Sequence, residues 1–160
     1  MDYYVGLDVS LAETSICVLD HTGEIVREAK VASDPEHLSA FIDNLDLPIR
    51  LIGMETGQLS KWLYHGICDA GLPIVCVESH HMSTALKAQR IKTDQSDARG
   101  IAHMMRMGWY QKVHLKSPAN SRYRIILNNR RWLLGRKVDL SNQIRGHLKI
   151  FGHKMGVGIR

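Results

Sequence analysis

Four carboxylates in this chain sit at the ends or beginnings of apolar runs, where an ionised group is costly unless a partner charge or a metal compensates it. Asp8 lies in VGLDVS, between the apolar neighbours Val5, Leu7 and Val9. Glu55 follows LIGM and precedes Thr56-Gly57, a place where the strands of α/β sheets deliver functional groups to a crevice. Asp94 and Asp97 are three residues apart, which puts them on one helical face. That face continues through Ala98, Ile101, Met104 and Met105, so both acids open the apolar stripe that should dock on a sheet. Gln95, Ser96, Arg99, His103 and Arg106 fall largely on the other side.

Taken singly, each acid has a plainer explanation. Asp8 and Glu55 could cap turns at strand ends, and Asp94, after Thr93, could cap a helix and complement its dipole. Capping does not explain why four acids would converge. Hard oxygen donors suit Mg²⁺ or Mn²⁺, ions that activate a nucleophile and stabilise a leaving oxygen in phosphodiester cleavage. Asp8, Glu55, Asp94 and Asp97 are therefore expected to be both metal ligands and catalytic residues. Arg90 and Lys92, just ahead of the acidic pair, are placed to hold a scissile strand, ordinary loop solubility being the alternative.

The elements that must position these groups follow from local pattern. Residues 3–9 (YYVGLDV), 14–20 (TSICVLD) and 24–31 (EIVREAKV) read as a three-stranded antiparallel meander, with His21-Thr22-Gly23 as a tight connection. Asp34 caps a helix whose first residue is Pro35 and whose apolar positions are Leu38, Phe41, Ile42 and Leu45. A fourth strand (50–54), a helix (60–70) with Trp62, Leu63 and Ile67 inward, and a fifth strand (73–77) follow. Two strand-helix-strand connections predict parallel pairing there, so the sheet is mixed. Helices are expected from about 79 to 88 and from Asp94 to about Met107. Ser117 and Pro118 then open a long basic helix to about Phe151, with Ile126, Leu133 and Leu140 at heptad spacing. Arg130 and Lys137 interrupt the complementary seam, and Gly135 and Gly146 lower helix propensity, so this arm is expected to pack on a partner outside the chain.

Composition narrows the class. A chain of 160 residues with 44% hydrophobic content can bury one core. Residues 1–80 carry 4 Lys/Arg and 13 Asp/Glu, whereas residues 81–160 carry 17 and 3. So lopsided a distribution implies two surfaces with different partners, the basic one favouring a polyanion because neutralised phosphates release counterions. Lys87, Arg90, Lys92, Arg122, Arg124, Arg130, Arg131, Arg136 and Lys137 are the expected nucleic-acid contacts. Cys17, Cys68 and Cys76 form no CxxC pair, which argues against a disulfide scaffold or a zinc ribbon. With no membrane span and no leader at the N-terminus, a soluble cytoplasmic protein is expected.

Three stretches together, YYVGLDVSLAET, GMETG and above all KTDQSDARGIA, resemble the DEDD transposases of bacterial insertion sequences, the Piv-related family that includes bridge-RNA-guided recombinases. The resemblance implies a RuvC-like RNase H fold, a mixed five-stranded sheet flanked by helices over residues 1–111, and then the basic helical arm over 112–160. It further implies a Mg²⁺-dependent site at the four acids, DNA and a structured guide RNA as partners, and a homo-oligomer. The resemblance also implies a C-terminal transposase domain with a serine nucleophile, expected to lie outside these residues, since the last serines, Ser117, Ser121 and Ser141, fall in the arm. Two rival readings are an actin- or sugar-kinase-like phosphotransferase, for which no Gly-rich phosphate loop is visible, and a non-catalytic nucleic-acid-binding and dimerisation module.

Overall fold

The computed structural model describes residues 1–78, 94–115, 117–154 and 156, and within these the side chains of all but 94–96 and 118. The chain divides into two compact units, Met1–Leu115 and Lys116–Arg160. In the first, β1 (Tyr3–Val9), β2 (Glu13–Leu19), β3 (Ile25–Ala32), β4 (Ile49–Glu55) and β5 (Ile74–Val77) form one sheet in the order β3-β2-β1-β4-β5. The β1–β2 and β2–β3 pairs are antiparallel, while β1–β4 and β4–β5 are parallel. The meander followed by parallel strands expected from the sequence is thus the observed topology.

Strict alternation along the strands gives the sheet two different faces. Val5, Leu7, Ile16, Val18, Ile52, Met54, Ile74 and Cys76 are buried in one cluster, which also takes in Leu38 and Ile42 of α1 (Pro35–Asp43) and Leu63 and Ile67 of α2 (Ser60–Asp69). Asp34 caps α1 by accepting from Glu36 N, and Pro35 occupies its first turn, as the pattern required. Trp62 departs from expectation: it is 51% exposed, because Leu63 and Ile67, one turn apart, define the inner face and residue 62 is turned about 100° away from it.

The opposite face receives α3 (Asp94–Met107). Val75 and Val77 pack there with Ile101, Met104 and Met105, and Cys17 and Leu19 with Ala98 and Ala102. The result is a three-layer α/β/α unit. Residues 111–113 run antiparallel along β5, through the Val77–Lys112 bridge and the Val113 N to Cys76 O bond of 2.8 Å. These backbone bonds tie the segment to the sheet, and the first compact unit ends at Leu115.

The second unit is built on α4 (Pro118–Ile150), 33 residues long, which at 1.5 Å per residue is about 50 Å. Ser117 caps it, accepting from Asn120 N. Ile126, Leu133, Leu134 and Leu140 are all exposed on its surface. No helix among the described residues is long and apolar enough to cross a membrane. The helix expected from 79 to 88 lies outside the described residues.

Candidate active site

Asp8 and Glu55 leave the sheet side by side. The last registered pair between the parallel strands β1 and β4 is Leu7 with Met54, and each acid is the next residue along its strand. Both are half-buried and line a cavity of about 260 Å³ at the carboxyl ends of these strands. Ser10, Leu11, Thr56, Gly57 and Ser60 complete much of its wall. β1 lies where the sheet changes from antiparallel to parallel pairing, the kind of place where open α/β sheets form their crevice. The loop beside Asp8 is pinned from below: Ser33 Oγ donates to Ser10 O at 2.7 Å and shares a buried 2.8 Å hydrogen bond with Thr14 Oγ1.

Alternation also settles which face the acids occupy. Asp8 shares its face with Gly6, two residues earlier, and Glu55 with Gly53. Those two glycines are where α3 comes closest to the sheet. A Cβ at Gly6 would stand 2.5 Å from Ala102 N and nearer still to Ala98 O; one at Gly53 would stand 2.6 Å from Met105 Cγ and 2.9 Å from Ile101 Cγ2. The helix direction follows from its other end, where Arg106 lies over Gly23 and donates to His21 O at 3.4 Å in the β2–β3 turn. That turn is at the amino end of β1, so α3 runs antiparallel to β1 and its first turn lies towards the end that carries Asp8.

One helical turn back from Ala98, above Gly6, is residue 94; one turn back from Ile101, above Gly53, is Asp97. Two residues along a strand (about 6.6 Å) and one helical turn (about 5.4 Å) are nearly the same advance. The first turn of α3 therefore lies towards the same end of the sheet face as the acids of β1 and β4. Asp97 is half-buried, and the side chain of Asp94 lies outside those described. Among the described residues no group of three or more His, Cys, Asp or Glu side chains is close enough to hold a metal. The pair formed by Asp8 and Glu55 nonetheless fits a hard cation, since Mg²⁺ is commonly held by one or two carboxylates with water and phosphate oxygens filling the remaining positions.

A family profile described as "Transposase", of the IS110 DEDD type, matches residues 5–152. The chain belongs to the IS110-type DEDD transposases. A curated relative, the transposase for insertion sequence element IS1111A of Coxiella burnetii (strain RSA 493 / Nine Mile phase I), is 24% identical over 157 residues, covering 98% of this chain. The chain spans 41% of the length of that relative. Among solved structures, T. thermophilus RuvC in complex with a Holliday junction substrate superposes with a TM-score of 0.51 at 13% identity, covering 71% of this chain and all of the other. A further Thermus thermophilus RuvC structure gives 0.49 at 12% identity, with 69% and 99% coverage. The first of these likenesses shows the fold: the transposase unit is RNase H-like, of RuvC type.

The first unit also contains a pairing that spacing did not reveal. Arg99, placed by the helical wheel among the residues facing away from the sheet, reaches over its edge to Glu28 on β3, Nε donating to Oε1 at 2.6 Å and Nη2 to Oε2 at 2.8 Å. The guanidinium holds the Glu28 carboxyl below the usual range, and burial with the Glu28 charge nearby pushes the Cys17 thiol up to about 12. Arg106 is likewise folded onto the β2–β3 turn instead of facing solvent. Residues 71 apart in sequence share no local signal; only strand register, which sets Glu28 opposite Cys17 and Cys17 opposite Gly6, would have located the partner. Of the expected nucleic-acid contacts, Arg122, Arg124, Arg130, Arg131, Arg136 and Lys137 are exposed on α4. They are spread around the helix and do not form one stripe, and Arg136 stacks on Trp132 at 5.5 Å. Lys87, Arg90 and Lys92 lie outside the described residues.

Proposed function

We propose that the Met1–Leu115 unit is the metal-dependent DNA strand-cleaving module of a transposase, with Asp8, Glu55, Asp94 and Asp97 as its ligand set and Mg²⁺, or Mn²⁺ in its place, as the cofactor. The observation that supports this reading is the cavity shared by Asp8 and Glu55 at the carboxyl ends of β1 and β4. Bound there, the ion would supply Lewis-acid charge at the phosphodiester. Asp8 and Glu55 contribute negative charge from two adjacent strands of fixed spacing. Their strands are embedded in the sheet, so the two ligands have little freedom to separate.

The basic arm supplies the polyanion side of the same function, and its scattered cations suit a phosphate backbone or a folded guide RNA better than a single groove of duplex. Assembly with a second protomer through the exposed apolar positions of α4, and a cytoplasmic site of action, complete the proposal. The test is calorimetric titration of the 160-residue chain with Mn²⁺. Binding by the wild type that falls at least ten-fold in Asp8→Asn and Glu55→Gln, with unchanged circular dichroism, is the expected result. A folded wild type that takes up no Mn²⁺ would refute it and favour the non-catalytic module.

A further inference from the structure

We propose that the Arg99–Glu28 pair is a positioning clamp that sets the roll of α3 on the sheet and thereby the placement of the Asp94–Asp97 turn over Asp8 and Glu55; this rests on the metal-site reading above. The far end of α3 is held on the β2–β3 turn by Arg106, but near its first turn few contacts resist rolling. Beneath the middle of α3 one cross-sheet row runs Glu28–Cys17–Gly6–Gly53–Val75, each residue opposite the next in register. Its centre is two glycines; the helix meets Gly6 with Ala98 and Ala102, and Gly53 with Ile101 and the flexible Met105. Small residues allow close approach, but they form a smooth seat with few ridges to lock a cylinder against rotation.

The outer ends of the row differ. On the β5 side, Val75 packs against Met104, Met105 and Ile101, and methionine is the most adaptable of apolar side chains. On the β3 side stands a bidentate ion pair whose two parallel hydrogen bonds fix both distance and direction. Glu28 is 24% exposed, and its carboxylate is further oriented by the strand that carries it. Arg99 is two residues from Asp97 and five from Asp94, so it restrains the turn next to the acids.

Geometry sets what a loose clamp would cost. With side chains at a radius of roughly 5 Å from the helix axis, a roll of about 20° would carry the Asp97 carboxylate about 2 Å sideways. Metal ligation tolerates deviations of only about 0.2 Å. Losing the clamp should therefore damage ligation long before it damages the fold, whose core on the opposite face is untouched. Arg99 and Glu28 are positioning residues in this scheme and touch no substrate.

The experiment is Mn²⁺ calorimetry on the 160-residue chain carrying Glu28→Gln, Arg99→Gln, or the charge-reversed pair Glu28→Arg with Arg99→Glu, with circular dichroism to follow the fold. Each single variant should keep its spectrum and bind Mn²⁺ at least ten-fold more weakly, in the range seen when outer-shell partners of metal ligands are removed. The reversed pair should recover at least part of that affinity. Wild-type affinity in both folded single variants would overturn the clamp while leaving the metal site standing. No binding by the wild type would instead overturn the metal site, and the clamp with it. Should a single variant fail to fold, the reversed pair decides: recovered binding supports the clamp, and a folded pair without binding overturns it.

Discussion

Gly6→Ala is the smallest perturbation that should separate the two halves of the proposed site. The added Cβ would lie 2.5 Å from Ala102 N and closer to Ala98 O, both backbone atoms of α3. Carbon packs at about 3.5 Å, so the helix must lift by roughly 1 Å at this point. Overpacking of this kind costs about 1–3 kcal/mol. For a unit of this size each kcal/mol lowers Tm by about 4 °C, giving an expected loss of roughly 4–12 °C. The same lift exceeds the roughly 0.2 Å tolerance of metal ligation several times over, so Mn²⁺ should also cease to raise Tm. Gly53→Ala provides the internal contrast. Its Cβ would meet Met105 Cγ and Sδ at 2.6 Å and Ile101 Cγ2 at 2.9 Å, and the methionine can swing aside. Differential scanning calorimetry with and without Mn²⁺ measures both effects. A Gly6→Ala protein as stable as the wild type, or no more affected than Gly53→Ala, would refute the backbone contact on which the placement of Asp94 and Asp97 depends.

Two further outcomes are expected. Replacing Arg122, Arg124, Arg130 and Arg131 together by glutamine should weaken binding to single-stranded or duplex DNA and flatten the slope of log K against log salt by up to about four phosphate contacts; an unchanged slope in fluorescence anisotropy would remove the arm from the nucleic-acid interface. Acid unfolding should report Glu28 and Asp20, whose carboxyls are both held below the ordinary range, by the Arg99 guanidinium and by Thr22 with neighbouring backbone N–H groups respectively. Since a depressed folded-state value means that stabilisation is full above the ordinary carboxylate range and disappears as pH falls through the folded value, Glu28→Gln and Asp20→Asn should narrow the stability difference between pH 6 and pH 3. Chemical denaturation at the two pH values that shows the same difference in the variants would contradict the assignment.

The fold was legible because its signals were local. Alternation in YYVGLDV and TSICVLD, the Asp34–Pro35 start of α1 and the Ser117–Pro118 start of α4 are each written within a few residues of the element they define. The acids at strand ends were legible for the same reason, an ionised group next to an apolar run. Trp62 was misplaced because a helix wheel with one apolar residue too many does not say which of them is left outside. Arg99 was misplaced because long side chains travel: its stem leaves the outer flank of α3 and its head reaches the sheet edge. The glycines were the least legible of all. Gly6 and Gly53 stand in the middle of strands, where glycine weakens a sheet, and only the helix lying on them explains their presence.

That arrangement also bears on how acids can be gathered at one end of a sheet before any ion arrives. Asp8 and Glu55 emerge beside one another, and two adjacent carboxylates repel. α3 runs antiparallel to β1, so its amino end, with the positive pole of the backbone dipole, is the end that faces this cluster. A helix docked in the other direction would bring its negative pole to the same place and add to the repulsion. The glycine seat strengthens the effect by bringing that pole nearer, because a dipole's influence falls away within about a turn. Closeness permitted by Gly6 and direction imposed by the chain path therefore act on the same quantity, the electrostatic cost of assembling the acids. Moving α3 outward should raise that cost and destabilise the metal-free fold. A loss of cation binding would come from a separate cause, the displacement of ligands, because the positive pole itself repels a cation.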